Sequence, residues 1–479
     1  MDTTAGSALG PVDTLIVETV TWTPALEIGG EIAITRAVAG QRVAVCVLAL
    51  PNPDDAPRFP FLEKTRLWTR DHKIRQLTSG LTRFGVEIIR IPTLGAGELQ
   101  RVEAYASGTP TTYEELRGYR YGAARLGESV AASLTHVAKH ASPDLVRLCP
   151  LLQSYFRLGA MTFEMTKALL AALRPVEIIT YNGRYAAGGA VAEAARLCGV
   201  PLLYHEQGST MDRYELFRER PQDPRFVQSE IRRYWEAAGP ERRAVAADPV
   251  RADPPHNARR RIVFFTTNDF EQEYTGREHS GIFPTQRDAV AHLARWASTR
   301  SDVDFIVREH PDAVAGQPSD RAWLDAIASL GTQVVRSEEQ VDDDAFVRQA
   351  DVVVTAGTDI GLLAAAGGRP SIVVEEAFYS GFGCVYEPHS VTELEALLDD
   401  KRLPELPSER CSPAMHWLAT FGTPMRYYEP TTLYSGRFLG AELSGAPRWL
   451  VRTGIGSLAR LAWRRLRPSW ISQQRPART

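Results

Sequence analysis

Unbroken apolar stretches that alternate with helical stretches are the feature that most constrains the fold of this chain. In the first half, QRVAVCVLAL, VEIIRIP and VEIITYN have the apolar residues of strands, and helical patterns lie between them. A second block of the same kind runs from RIVFFTTND to PSIVVEEA. Strands without polar alternation are typical of parallel sheets that helices cover on both faces. The alternation therefore predicts an α/β fold with two Rossmann-like domains that face each other across a cleft.

The boundary between the two blocks is predicted at a segment that is poor in large apolar residues. Residues 239–260 are rich in proline, alanine and charged side chains, which is typical of a linker. We therefore expect an N-terminal domain over residues 11–238 and a C-terminal domain over residues 261–425. Residues 426–479 form a C-terminal extension, basic from residue 448. A length of 479 residues agrees with two domains, because one hydrophobic core seldom organises so many.

The composition argues against several classes of protein. A formal net charge of -3 gives no reason to expect nucleic-acid binding. The 5 cysteines are scattered and form no CxxC pair, which predicts free thiols in a reducing compartment. The N-terminus lacks the pattern of a signal peptide, and no run of about 18 apolar residues is present. We therefore expect a cytoplasmic protein.

The C-terminal tail differs from the rest of the chain. From Arg448 to Thr479 it has eight arginines and no acidic residue, with tryptophan and leucine between them. Basic amphipathic segments with tryptophan bind anionic membrane surfaces, so the tail predicts contact with the inner face of the membrane. A solvated basic tail and a helix that packs on the first domain remain alternatives.

Polar residues at the ends of the predicted strands mark a candidate site, because ligands of open α/β sheets bind beyond the carboxyl ends of the strands. In REHPD, Arg308 offers a bidentate charge, and His310, fixed by Pro311, can donate to a phosphate. In TAGTD, Gly357 allows close approach of the backbone, and Thr358 with the next helix start can hold a phosphate. An exposed turn and a simple helix cap are the structural alternatives.

Two further turns carry polar residues at positions of the same kind. FFTTNDFEQEY places Thr267 and Asn268 where they would touch a ligand, although a capped turn explains them equally well. In YNGRYAAGGA a tight turn explains the glycines but not Arg184, which is a candidate on the acceptor side. No GxxxxGK[ST] motif is present, and no GxGxxG follows the first strand, so P-loop enzymes and dehydrogenases are not indicated.

The stretch PLLYHEQGS begins as a buried strand and ends in ionisable residues instead of turn residues. It is predicted to be the last strand before the linker, so that its end opens onto the cleft. His205 and Glu206 are therefore candidate catalytic residues, and Gln207 and Ser209 are candidates on the acceptor side.

Together these segments resemble the glycosyltransferases of bacterial capsule and surface-polysaccharide synthesis, which have the GT-B fold. The resemblance is carried by YNGRYAAGGAVAEAARLCGVPLLYHEQGS, FFTTNDFE, REHPD and ADVVVTAGTDIGLLAAAGGRPSIVVEEA. It implies a nucleotide-sugar donor in the C-terminal domain, with His310 at the donor phosphate and Thr358 helping to hold it. The HP element also resembles that of sialyl-, Kdo- and teichoic-acid-type transferases, which implies a CMP- or CDP-linked donor, with UDP as a further alternative.

The chain departs from the family in one helix. Relatives usually place glutamate followed by alanine after the Ser/Thr turn, whereas Leu363 and Ala364 stand there in this sequence. Asp359, or Glu375 and Glu376 after the next strand, are the candidates that would hold the donor ribose instead.

Glycosyl transfer needs a base for the acceptor hydroxyl and a positive environment for the departing phosphate. Glu206 is the leading candidate for the base, and His205 is its competitor. A carboxylate that caps a neighbouring helix, or that pairs with Arg184 or Arg213, is the structural alternative for Glu206. The run of aspartates at residues 342–344 is expected to begin a helix instead of binding a metal. We therefore expect metal-independent transfer without a cofactor.

The predicted function is hexosyl- or Kdo-type transfer to a growing surface or capsular polysaccharide or to a lipid-linked acceptor. One alternative is a teichoic-acid-type phosphotransferase that moves a polyol phosphate from CDP. A second alternative is a catalytically degenerate GT-B scaffold in polysaccharide assembly, which the missing helix glutamate motivates.

Overall fold

The structure is a computed structural model that describes residues 10–443, apart from residues 51–59, 139, 141, 222, 245, 252–258, 268–280, 312, 314–317, 340, 402, 405 and 433–434. The described residues form two compact units. The first contains residues 10–221 and 421–443, and the second contains residues 223–420. The basic tail from residue 448, and with it the predicted membrane contact, lies outside the described residues.

The strands follow the apolar stretches of the sequence. They are β1 (Thr14–Glu18), β2 (Val43–Val47), β3 (Glu87–Ile88), β4 (Glu177–Tyr181), β5 (Leu202–Gln207), β6 (Arg213–Phe217), β7 (Arg260–Phe265), β8 (Val303–Arg308), β9 (Gln333–Val335), β10 (Val352–Thr355), β11 (Ser371–Val373), β12 (Thr423–Pro424), β13 (Tyr428–Thr432), β14 (Ser435–Phe438) and β15 (Ala441–Glu442).

The helices lie mostly between consecutive strands. Those of the first unit are Ala25–Val38, Pro60–Leu81, Ala96–Ala106, Tyr113–Gly118, Leu126–Ala138, Cys149–Leu173 and Ala186–Cys198. Those of the second unit are Pro224–Ala237, Pro240–Arg243, Gln286–Ser298, Pro318–Ala328, Asp343–Gln349, Asp359–Ala366, Val391–Asp399 and Ser412–Thr420. Within the described residues, no helix is long and apolar enough to cross a membrane.

The first unit is built on a sheet with the strand order β12-β6-β5-β4-β1-β2-β3. The strands from β5 to β3 are parallel, and β1 and β2 are buried along their whole length, as their unbroken apolar sequences predict. A separate antiparallel sheet of β13, β14 and β15 completes this unit.

The stretch PLLYHEQGS is not the last strand before the second unit, in contrast to the prediction. Its strand β5 continues through a hairpin into the antiparallel strand β6, and the Gly208 N–H donates to the Arg213 carbonyl at 2.8 Å. The sequence hid β6 because RYELF alternates polar and apolar residues, which is typical of a half-exposed edge and differs from the core strands.

The second unit contains a fully parallel sheet with the order β11-β10-β7-β8-β9. Helices Gln286–Ser298 and Asp359–Ala366 connect successive strands, as in a doubly wound sheet. The strand order reverses between β7 and β10. The α/β class with two Rossmann-like units, predicted from the sequence, is confirmed.

The unit boundaries differ from the predicted domain boundaries at residues 238 and 425. Helix Pro224–Ala237 belongs to the second unit, where the buried Gln228 side chain donates to the Ala377 carbonyl at 2.8 Å. Residues after 420 return to the first unit, because β12 pairs with β6. The periodicity of a helix shows which face is apolar but does not show which sheet the face covers, and this explains the difference.

A buried carboxylate lies under the first helix of the first unit. Glu18, 1% exposed, ends β1, and its Oε1 lies 2.8 Å from Nε2 of His205 in β5. Gly29 makes room for it, because a Cβ there would lie 2.8 Å from Cδ of Glu18 and 3.1 Å from its Cγ. Helix Ala25–Val38 can therefore approach β1 only with glycine at this position.

We predict that Gly29→Ala lowers the free energy of unfolding by about 1–3 kcal/mol, since the added methyl group forces the helix or Glu18 to move. Gly118→Ala is the control, because a Cβ there would meet no atom within 4 Å. Urea denaturation of the two variants measures the difference. Equal midpoints would contradict the close packing of the helix on Glu18.

Candidate functional site

The second unit brings three of the predicted donor segments to one edge of its sheet. Thr267 follows β7, His310 follows β8, and Thr358 follows β10, and these strands are neighbours in the order β10-β7-β8. The buried Thr266 hydroxyl joins two of the segments, because it accepts the His310 backbone N–H at 3.0 Å. This edge includes the point where the strand order reverses, which is where open α/β sheets bind ligands.

The TAGTD turn is held in one conformation by its own threonines. The Thr358 N–H donates to Thr355 Oγ1 at 3.0 Å, and the two hydroxyl oxygens lie 2.7 Å apart. Gly357 has a φ of +97°, a conformation that favours glycine. The Thr358 side chain does not cap helix Asp359–Ala366. The first backbone N–H groups of this helix, at the switch-point edge, suit a phosphate.

The candidate ribose ligands lie in different surroundings. Asp359 is exposed in the first turn of its helix, and Glu375 is half-buried after β11. The Glu376 carboxylate is 23% exposed and accepts from Nε of Arg225 at 3.1 Å. Which of these three carboxylates holds a ribose stays a prediction.

Arg308 is a buried structural side chain. It is 3% exposed, its Nε donates to Oδ1 of Asp343 at 2.5 Å, and its Nη1 donates to the Arg336 carbonyl at 2.7 Å. This position indicates a role in fixing helix Asp343–Gln349, in place of the phosphate contact predicted from the sequence. The Asp342 side chain caps that helix, so this aspartate run begins a helix as predicted.

The other predicted residues of this edge differ in how they are held. His310 is half-buried and Pro311 is exposed. The buried Gln286 side chain fixes Thr267, because its Oε1 accepts the Thr267 N–H at 2.9 Å and its Nε2 donates to the Thr267 carbonyl at 2.8 Å. Sequence reasoning missed Gln286, which lies 19 residues further along the chain. Asn268 lies outside the described residues.

In the first unit, His205 and Glu206 point to opposite faces of the sheet, because they are consecutive residues of β5. His205 is fully buried against Glu18. Glu206 is half-buried, and its Oε2 accepts from Nδ2 of Asn182 at 3.2 Å. Burial therefore indicates a structural role for His205, whereas Glu206 keeps partial access to solvent.

Asn182 holds the Glu206 carboxylate and Tyr181 lies close to it, and sequence reasoning missed both. Asn182 has a φ of +21°, donates its backbone N–H to the His205 carbonyl at 3.2 Å, and accepts the Arg184 N–H at 3.1 Å. Tyr181 is buried, and burial together with the negative charge of Glu206 raises the pKa of Tyr181. The only signal in the sequence was the dipeptide YN at the end of a strand.

The acceptor-side candidates lie around this carboxylate. Arg184 is half-buried, and its guanidinium lies 5.6 Å from the centre of the Tyr185 ring. Gln207 is the last residue of β5, and Ser209 lies in the hairpin that follows. Both are half-buried, and the Ser209 N–H donates to the Phe421 carbonyl at 3.0 Å. The roles predicted for these three residues stay predictions.

We predict that Arg308→Met lowers the free energy of unfolding by about 1–3 kcal/mol without nucleotide present, because Asp343 and the Arg336 carbonyl lose their donor. Arg225→Met is the matched control, since its ion pair with Glu376 has an arginine that is 75% exposed. The control is expected to cost less than about 1 kcal/mol. Unchanged stability of Arg308→Met, with lost nucleotide binding, would restore the phosphate role predicted from the sequence.

Comparisons with known proteins find a family that the second unit resembles. Residues 221–406 match the family model described as capsule polysaccharide biosynthesis protein. No curated protein matches the chain.

Similar solved structures have low identity to this chain. One is KpsC of Thermosulfurimonas dismutans, a beta Kdo 2,7 transferase, with 14% identity, a TM-score of 0.33, and coverage of 62% of this chain and 89% of that one. Another is MurG of Acinetobacter baumannii, with 13% identity, a TM-score of 0.29, and coverage of 86% and 96%. A third is the S. aureus MnaA–UDP co-structure, with 12% identity, a TM-score of 0.31, and coverage of 86% and 93%.

The matched segment contains β7, β8, β10 and β11 and the edge at which His310 and Thr358 lie. It also contains Glu375 and Glu376. Over residues 221–406 the chain is similar to the capsule polysaccharide biosynthesis proteins, in agreement with the resemblance seen in its sequence.

Proposed function

We propose that this chain is a glycosyltransferase that adds a sugar from a nucleotide-sugar donor to a capsular polysaccharide or a lipid-linked acceptor. The observation that carries the proposal is the edge of the second sheet, where His310 and the Thr358 turn lie within the segment that matches the capsule family. A helix N-terminus and a histidine at the same edge of a sheet are suited to the phosphate of a leaving nucleotide.

The second unit would stabilise the leaving group. As the bond between the sugar and the nucleotide phosphate breaks, the electron pair goes to a phosphate oxygen, and negative charge grows there. The N–H groups at the start of helix Asp359–Ala366 and the His310 side chain are the groups proposed to meet that charge. Because these groups carry out the neutralisation, the proposed transfer does not depend on a metal ion.

The first unit would supply the base. Glu206 accepts a hydrogen bond from Asn182, which fixes its carboxylate, and its side chain is only half-buried. A fixed carboxylate can accept the proton of an acceptor hydroxyl as its oxygen attacks the sugar. His205 is less suited to this step because it is fully buried against Glu18.

We predict that Glu206→Gln lowers the rate of transfer by about 10²- to 10⁴-fold, because the amide cannot accept the proton. Nucleotide affinity should stay unchanged, as measured by calorimetry. Glu177→Gln is the matched control, because Glu177 begins β4 at the opposite edge of the same sheet. Full turnover by Glu206→Gln would remove the residue from the mechanism, and phosphorus in the product would indicate phosphotransfer instead of glycosyl transfer.

A catalytically inactive scaffold is the second candidate function. Leu363 and Ala364 stand where relatives have glutamate and alanine, and Ala364 is fully buried in the core beside β10. A scaffold of this kind need not bind a nucleotide. Calorimetry with CMP, CDP, UDP, GDP and ADP separates the two functions, since the transferase is expected to bind at least one of them and a pure scaffold none.

A further inference from the structure

Trp22 is an unusually exposed aromatic residue. It has 46% of its surface open to solvent, the largest exposed fraction among the tryptophan, tyrosine and phenylalanine side chains whose burial the structure describes. Tryptophan is ordinarily buried to a large extent, because its ring has a large apolar area. The exposed ring therefore has an apolar face that a ligand or a partner can cover.

The position of Trp22 in the fold is that of a ligand site. It follows β1, and β1 lies beside β4, which ends at Tyr181. The chain leaves β1 toward β2 on one side and leaves β4 toward β5 on the other, so the strand order reverses between them. Open α/β sheets bind ligands beyond the carboxyl ends of the strands at this kind of reversal.

The backbone around Trp22 is fixed on both sides. Lys73, which is 6% exposed, donates from Nζ to the Thr21 carbonyl at 2.9 Å and to the Thr23 hydroxyl at 2.7 Å. The same ammonium group lies 2.8 Å from Oε1 of the buried Glu27. One buried cation thus holds the residues before and after the exposed indole.

The indole is also supported by a ring beneath it. The ring centres of Trp22 and Tyr181 lie 5.1 Å apart in an edge-to-face arrangement, and Tyr181 in turn lies 5.6 Å from the His205 ring. Tyr181 is buried and pairs in register with His205, the residue before Glu206. The exposed indole and the Glu206 carboxylate therefore lie at the ends of three neighbouring strands, β1, β4 and β5.

Asn182 is the polar residue that supports Glu206 at this end of the sheet. Asn182 holds the Glu206 carboxylate, and it does so from a positive φ of +21° that non-glycine residues seldom adopt. Backbone strain of this kind persists where the surrounding contacts fix it, and it concentrates at functional sites.

We propose that Trp22 is a binding residue of the acceptor, on which a pyranose ring stacks with a hydroxyl directed to Glu206. The C–H face of a sugar is apolar and packs on an aromatic ring, while its hydroxyl groups bind carboxylate and amide groups such as those of Glu206 and Asn182. This inference rests on the proposed function, because it assigns the substrate class of the same carboxylate.

The test uses the full chain and a panel of methyl glycosides of glucose, galactose, N-acetylglucosamine and glucuronic acid as acceptor probes. Saturation-transfer NMR titrations give the dissociation constant of each probe. We expect Trp22→Ala to weaken binding by about tenfold or more and Trp22→Phe to restore part of it, because phenylalanine keeps an aromatic face. Leu99→Ala is the control, since Leu99 is similarly exposed, at 43%, and lies on helix Ala96–Ala106.

Two outcomes would overturn the inference: equal affinity of Trp22→Ala and the unchanged chain for the glycosides, or binding of none of them by the unchanged chain. Calorimetry with CMP, CDP and UDP on the same samples keeps the two proposals apart. The Trp22 variants should bind the nucleotide as the unchanged chain does. Absence of nucleotide binding in the unchanged chain would count against the proposed function, whatever the glycosides show.

Discussion

The contact between Glu18 and His205 is the interaction on which the first unit's candidate site depends. It joins the ends of β1 and β5, the two strands that flank β4, and both side chains are buried. Buried polar groups of this kind are stable only when they are paired, so the contact fixes how the two strand ends lie relative to each other. Tyr181, at the end of β4, packs its ring on His205 and so receives a fixed position.

From that contact the rest of the edge follows. The alternation of β5 turns Glu206 to the face opposite His205, where Asn182 holds its carboxylate. The second unit uses different chemistry at the corresponding edge of its own sheet, with threonine hydroxyls and backbone N–H groups around Thr358. The edge of the first sheet is thus suited to accepting a proton, and the edge of the second sheet is suited to binding a phosphate. Glycosyl transfer requires both functions.

The sequence predicts well what depends on local pattern. Apolar runs located the core strands, and the end of PLLYHEQGS led to Glu206 because an ionisable residue is unexpected there. Contacts between residues far apart in the sequence were not predicted. Arg308 pairs with Asp343, 35 residues away, and Trp22, which follows β1, packs against Tyr181 at the end of β4. Neither partner can be read from periodicity, because spacing along a chain does not tell which side chains meet in the fold.

The proposed function requires that the second unit binds the donor nucleotide at the carboxyl edge of β7, β8 and β10. Amide hydrogen exchange followed by mass spectrometry, with and without CMP, CDP or UDP, tests it most directly. We expect at least one nucleotide to slow exchange in the peptides that contain Thr267, His310 and Thr358, while peptides of the opposite edge stay unchanged. If none of the three nucleotides slows exchange, or if exchange slows only in other segments of the chain, donor binding at this edge is contradicted.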